Sequence, residues 1–387
     1  MKLFSMKIGG VFALAMVVGP FVFAPAHALD TIAREAVLID AVTDAVLLSK
    51  NADTPMPPAS MSKMMTVYMV LERLKEGSLS LDETFLVSEN AWRKGGAKSG
   101  GSTMFLEPGK RVSVEDLLKG IIVQSGNDAC IVVAEAMSGS EEAFAEAMTQ
   151  KAREIGMADS TFRNATGWPD PEHRTTAKDL AILAKRTILD FPSFYHLYQE
   201  KVFTYGGIRQ FNRNPLLGRT PGADGLKTGH TEEAGYGLTA SAKRGDRRLI
   251  LVTNGLPSKK ARQTESQRLL DWGFREFKNY ALFKQGEEVA KASVWLGEKS
   301  EVPLITKSRL FLTLPRKERS GMKATLKFKT PVPAPIVAGD VLGTVTMTFP
   351  KNAPIEIPLV AGDSVQGLGL ISRVISAVQY ILLGDAG

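Results

Sequence analysis

Apolar positions along the chain follow two rhythms in turn. After residue 28, the runs "AVLID" and "AVLLSK" are separated by Ala41 to Asp44, which predicts a β-hairpin. Helical spacing then takes over. Met61, Met64, Tyr68 and Leu71 share one face and the pattern stops at Gly77, so a helix is predicted to begin close to Ser60. Further helices are predicted over residues 114–123, with Ser113 and Asp116 in capping-box positions, and over 127–137, 141–155 and 177–188. Between Gly229 and Leu256 the pattern changes to two β-type runs, "GYGLTASAK" and "RRLILVTNGL", joined at Arg244 to Asp246. A last helix is predicted over about 260–277.

Beyond Tyr280 helical periodicity disappears. Short alternating runs such as "LFLTL", "MKATLKF" and "VLGTVTMTF", punctuated by prolines and glycines, predict a small all-β domain over residues 280–364. At the end Leu368, Ile371, Ile375, Val378 and Leu382 recur every three or four residues opposite Ser372, Ser376 and Gln379. This predicts an amphipathic helix over 365–387. Arg373 and the polar face suit lying in a lipid interface rather than spanning it. At the other end, Lys2 and Lys7 precede an uncharged apolar stretch from Ile8 to Phe23 that closes in "APAHA", a signal peptide cleaved after Ala28. The predicted organisation is a signal segment (1–28), an α+β domain (29–279), the β domain and the terminal helix.

With 387 residues, 44% apolar and 23% charged, the chain can bury a substantial core and is neither disordered nor polytopic. Loss of Lys2 and Lys7 lowers the formal charge from +7 to +5. No basic run is interleaved with aromatics, so no nucleic-acid partner is predicted; an anionic lipid or wall polymer suits the balance better. The single cysteine, Cys130, forbids an internal disulfide and lies in an apolar helical run as a small buried side chain.

The chemistry is concentrated in "PPASMSKMMT", residues 57–66. Residues three apart share a helix face, so Ser60 and Lys63 face each other while Ser62 points elsewhere. Ser60 is therefore the candidate nucleophile, with Lys63 as its base. A lysine serves as base only if its pKa falls from about 10.4 toward neutrality; burial among methionines and a second cation push it that way. Spacing alone decides nothing, since Ser320 and Lys323 repeat it in a strand-like run and Ser88 and Asn90 repeat Ser125-x-Asn127. The ordered set decides: "SMSK" at a helix start, "SGN" at Ser125 to Asn127 between two helical runs, and "KTG" at Lys227 to Gly229 entering a strand.

These motifs, with "MFLEPGKRVSVEDLLKGIIVQSGNDAC", "GWPDPEHRTTAKDLA", "NRNPLL" and "GLKTGHTEEAGYGLTASAKR", closely resemble the low-molecular-mass penicillin-binding proteins that act as serine D-alanyl-D-alanine carboxypeptidases. The resemblance covers nearly the whole chain and departs at no motif position. It implies a β-lactamase-like transpeptidase domain, an antiparallel sheet with helices, ahead of the β domain. It implies peptidoglycan stem peptides as substrate and β-lactams as covalent inhibitors, at the periplasmic face of the inner membrane. By the family's pattern Ser60 attacks the penultimate D-alanine carbonyl, Lys63 takes its proton, and Ser125 relays a proton to the leaving amine. Asn127 would hydrogen-bond the substrate backbone. Lys227 and Thr228, with Arg213 as an addition, would bind the free carboxylate, and the backbone N–H groups of Ser60 and His230 would bind the oxyanion. Lys227 would also supply the positive charge beside Lys63.

The same residues would serve a D,D-endopeptidase acting on cross-links, or a penicillin-binding scaffold with little turnover. A class A β-lactamase normally has Asp where Gly126 stands and lacks both the β domain and the terminal helix. No Gly-x-Ser-x-Gly elbow, His-Glu-x-x-His or paired cysteines appear, so no α/β-hydrolase triad, metal site or cofactor is predicted. Taken singly, Ser60 and Asn127 could cap helices and Lys227 could sit on a solvated strand edge.

Overall fold

The computed structural model describes residues 29–349, 354–372 and 374–375. The predicted signal segment and most of the predicted terminal helix lie outside them.

The hairpin forms as the pattern predicts, with β1 (Glu35–Asp40) and β2 (Val46–Lys50). A single 3-10 turn, Ala59–Ser62, leads into α1 (Lys63–Glu76), which Gly77 ends in the left-handed region at φ 74°. Only glycine adopts that conformation without a Cβ penalty. The ribbon of β3 (Thr84–Leu86) and β4 (Arg111–Ser113) and the short α2 (Glu89–Gly95) follow; none of the three was predicted. Ser113 caps α3 (Val114–Lys119) by accepting from Asp116 N, but the helix then widens into a π turn over Gly120–Gln124. Next come α4 (Asn127–Ser138), α5 (Glu141–Glu154), α6 (Ala177–Asp190) and the hairpin of β5 (Val202–Tyr205) and β6 (Ile208–Phe211). The domain closes with β7 (Ala223–Thr231), β8 (Gly235–Arg244), β9 (Arg247–Leu256) and α7 (Lys259–Glu276).

The main sheet has the order β2-β1-β9-β8-β7 and is antiparallel throughout. Alternation along β9 shows how it is covered. Ile250 and Val252 enter the core shared with the helices α1 and α3 to α6, whereas Leu249 and Leu251 pack with Leu269 and Leu270 of α7. Each such fully buried side chain contributes about 1.5–3 kcal/mol. Lys227 to Gly229 lie inside β7, not ahead of it, at one edge of the sheet; the opposite flank of that strand is free to meet the 3-10 turn at Ser60.

The second region contains β10 (Phe277–Phe283), β11 (Glu288–Trp295), β12 (Glu301–Thr306), β13 (Leu310–Pro315), β14 (Lys323–Phe328), β15 (Val332–Pro333), β16 (Val341–Thr348) and β17 (Ile355–Ala361). It has its own core around Val302, Leu304, Leu314 and Leu359. The strands start at Phe277, directly after α7. At the far end the structure corrects the predicted helix start. Val365 is buried and bridges Ile336, and Gly367 bridges Gly297, so these residues close the β domain, and helical turn begins only at Leu370. A buried β-branched side chain gained by the core outweighs the helical periodicity that begins nearby. Among the described residues no helix is long and apolar enough to cross a membrane.

Candidate functional site

The site assembles where the 3-10 turn before α1, the junction before α4 and the edge strand β7 converge. In a 3-10 turn residues three apart eclipse one another. Lys63 Nζ accordingly sits 3.0 Å from Ser60 Oγ. Lys63 is fully buried, and a second N–H donates to the carbonyl of Thr166 at 2.5 Å. Two contacts thus aim one amine at one hydroxyl. Ser62 points away, fully buried, with its Oγ 2.8 Å from His173 Nε2. His173 Nδ1 accepts from Arg163 N, which leaves the ring proton on Nε2 as donor to Ser62.

The second pair is built the same way from distant elements. Ser125, at φ 66° between the π turn and α4, accepts from Lys227 Nζ at 2.9 Å. Lys227 also donates to the Thr228 carbonyl at 3.1 Å. Thr228 is buried beside it, and Asn127, also buried, opens α4 with its N–H on the Ser102 carbonyl. Gly229 lets the strand approach the turn, because a Cβ there would stand 2.8 Å from the Pro58 carbonyl oxygen. His230 is exposed, its ring against Tyr236 at 3.9 Å. Arg213 is likewise exposed overall, with Nη1 on Ser102 Oγ at 2.5 Å.

Electrostatics follow from burial. Burial, with the positive charge of Arg213 adding to it and Cys130 and Asp128 acting the other way, brings Lys63 down to about 8. Lys227 is driven well below its ordinary value, first by burial and then by Lys63 and Arg213. The charge of Lys63 thus bears on Lys227, and burial disfavours a second proton between the two amines. The Cys130 thiol, pushed up to about 12 by burial, is inert.

Several residues that hold the site were not predicted. The Asn164 carboxamide oxygen accepts from the N–H groups of Thr166, Gly167 and Trp168 and from the Thr166 hydroxyl, fixing the carbonyl that binds Lys63. Gly167, at φ 81°, brings this loop so close to Ala59 that a Cβ would lie 1.9 Å from its carbonyl oxygen. Asp128 gathers Thr103, Met104, Leu106 and Ala129 onto one buried carboxylate and so fixes the segment below Arg213. Arg262 reaches from α7 to the carbonyls of Gly229 and Gly237, at 3.4 and 3.5 Å. Burial brings it to about 10. These contacts use backbone acceptors or loop amides, for which side-chain spacing carries no signal. The local clues are the Asn-x-Thr-Gly turn chemistry at Asn164 to Gly167 and the charged residue at the helix-start position of Asp128.

Residues 22–257 match the family model described as D-alanyl-D-alanine carboxypeptidase, and residues 277–367 match that of the penicillin-binding protein 5 C-terminal domain. The chain belongs to the D-alanyl-D-alanine carboxypeptidase family. Among relatives, it is 40% identical over 345 residues to the D-alanyl-D-alanine carboxypeptidase DacC of Escherichia coli (strain K12), covering 88% of this chain and 86% of that one. Among solved structures, it is similar to penicillin-binding protein 5 from Haemophilus influenzae, with a TM-score of 0.78, 36% identity and coverage of 88% of this chain and 99% of that one. It is also similar to penicillin-binding protein D2 of Listeria monocytogenes in its ampicillin-bound form, with a TM-score of 0.56, 30% identity and coverage of 64% of this chain and all of that one. The fold class, the family resemblance and the serine-type D-alanyl-D-alanine carboxypeptidase activity predicted from sequence agree with these findings. Nothing in them favours the endopeptidase or scaffold alternatives.

Proposed function

We propose that this D-alanyl-D-alanine carboxypeptidase cleaves the terminal D-alanine from peptidoglycan stem peptides through an acyl-enzyme on Ser60. The observation that carries the assignment is the 3.0 Å contact between a fully buried lysine amine and that hydroxyl. Lys63, held by the Thr166 carbonyl, takes the hydroxyl proton as Ser60 Oγ bonds to the penultimate carbonyl carbon. The oxyanion is received by the backbone N–H groups of Ser60 and His230, which Gly229 allows to lie close together. Ser125 passes a proton to the amine of the departing D-alanine, the C–N bond breaks, and water then hydrolyses the ester.

Lys227 supplies the logic of end recognition. In the empty site burial leaves the lysine pair short of protons. A substrate carboxylate arriving beside Lys227, Thr228 and Arg213 favours the charged form of Lys227, and the positive charge so fixed keeps Lys63 neutral and basic. Asn127 hydrogen-bonds the peptide backbone. β-Lactams, which carry the same carboxylate beside a strained amide, acylate Ser60 by the same steps. We further propose export through a signal peptide ending at Ala28, a catalytic domain from residue 29 to the end of α7, a β domain from β10 to Gly367, and attachment to the periplasmic face of the inner membrane through the residues beyond it.

Mass spectrometry of the penicillin-treated protein tests the mechanism. The adduct is expected on the peptide containing Ser60, and Ser60→Ala is expected to abolish both adduct and D-alanine release. An adduct on any other residue would overturn the assignment.

A further inference from the structure

A second cleft, remote from Ser60, opens at the seam between α7, the β8–β9 turn and the β domain, with a volume of about 370 Å³. Lys227 pairs with Thr239, five residues before Arg244 on β8, so the cleft lies about 17 Å along the sheet from Lys227. Its walls carry Arg244, Arg247, Arg275, Lys278 and Arg316, against Asp271 as the single acidic lining residue.

Three of these cations have acidic partners: Arg244 with Asp271, Arg247 with Asp40 and Arg275 with Glu276. Lys278 and Arg316 form no salt bridge among the described residues. Arg316 uses Nε on the Arg275 carbonyl, and Lys278 lies 5.9 Å from the centre of the Tyr280 ring. Arg247 is the most telling. Its Nε binds Asp40 and its Nη1 donates to the carbonyls of Gly273 and Phe277, yet Nη2 is buried with no hydrogen-bond partner. Burial lowers the Arg247 pKa, Asp40 opposes that shift, and the charge of Arg316 adds a smaller push in the same direction as burial. Two guanidinium groups repelling each other beside an unsatisfied buried donor form an arrangement that an intervening oxyanion would relieve. The Arg247 bonds to Asp40, Gly273 and Phe277 hold its head in place before any ligand arrives, so little ordering cost remains.

We propose that this seam cleft is a binding site for a phosphoryl group, received by the forks of Arg247 and Arg316 with Lys278 at the rim. A tetrahedral oxyanion suits the forked donors, and the Phe274 ring, stacked 4.3 Å from the Arg244 guanidinium, backs that side of the cleft. The group can arrive as a free phosphate or as the phosphodiester of an anionic lipid headgroup.

The test uses the full chain and the variant carrying Arg316→Gln and Lys278→Gln, two exposed residues outside the catalytic site. Calorimetric titration with inorganic pyrophosphate and co-sedimentation with phosphatidylglycerol vesicles, against phosphatidylcholine vesicles, supply the two arms. Saturable pyrophosphate binding weakened about tenfold or more in the variant supports the site with a free ligand. A comparable loss of phosphatidylglycerol binding alone supports the lipid source. Equal behaviour of variant and wild type in both arms, or no response to either probe up to about 10 mM, overturns the proposal. D-Alanine release at the wild-type rate verifies that the variant is folded. Should it fall, Lys278→Gln alone, which removes no hydrogen bond seen among the described residues, carries the same comparison with a smaller expected loss.

Discussion

Ser60 with Lys63, and Ser320 with Lys323, share one spacing in two differently built regions. At the first, a 3-10 turn runs into a helix, residues three apart eclipse, and Lys63 is sealed beneath the helical domain with the Thr166 carbonyl as its anchor. At the second, Ser320 lies not in the predicted strand but near the end of an exposed 3-10 turn, Arg316–Gly321, and the chain straightens through Met322 so that Lys323 opens the exposed strand β14. The pair Ser88 and Asn90 repeats the lesson, for Ser88 merely caps α2 and Asn90 meets Glu135 on the surface. A side-chain spacing acquires chemistry only when the backbone repeat turns both groups to one face and burial alters the acidity of one of them.

The sharpest way to break this contrast is to replace each lysine by an uncharged chain of similar length. Lys63→Met is expected to slow acylation by a fluorescent penicillin about 10²- to 10⁴-fold, whereas Lys323→Met leaves the rate within about twofold. Equal effects at the two positions would remove the distinction. The same Lys63 change should not lower the denaturation midpoint through charge loss, because a buried amine held near 8 burdens the fold by about 3 kcal/mol at neutral pH.

The pH dependence sharpens it next. With Lys63 acting as a base, kcat/KM should climb about tenfold per pH unit below 8 and level off above it. A profile flat from about pH 6 to 9 would contradict a lysine base. Stability carries the matching signature. The folded amine titrates near 8 and the unfolded one near 10.5, so the unfolded chain binds more protons between those values and stability rises across that window.

The smallest effect is expected at Ser62, adjacent to Lys63 but facing the other way. Ser62→Ala should retain most D-alanine release while costing about 1–2 kcal/mol, since it strips His173 of a buried acceptor. Loss of activity equal to that of Ser60→Ala would overturn the argument from facing. Burial holds His173 down to about 4, below its ordinary 6.5, so stability is expected to fall as pH drops from 6.5 to 4. Chemical denaturation across that range measures it.

Much of the fold was legible because its signals are local. The hairpin at Ala41 to Asp44, the stop at Gly77, the Ser113 cap and the alternation of β8 and β9 each follow from a few adjacent residues. The three-residue strands β3 and β4 and the seven-residue α2 were not legible, being too short for any period to register. The terminal pattern misled for a related reason. Val365 fits a helical face as well as a core, and only the neighbouring Ile336 decides between them. Within the site, Ser60, Lys63, Ser125, Asn127 and Lys227 were legible as side chains of the right type in the right order. Thr166, Asn164, Asp128 and Arg262 were not, because what they supply is a carbonyl, a loop geometry or a brace.

The sequence by itself determined which residues are the candidates to react and, through periodicity, which of two adjacent serines faces the lysine. The tertiary structure alone decided what state that lysine is in. Its acidity depends first on the exclusion of water by helices far away in the chain and then on charges such as that of Arg213. Desolvation and Coulomb interaction act through space, and a local pattern holds no record of who the distant neighbours will be.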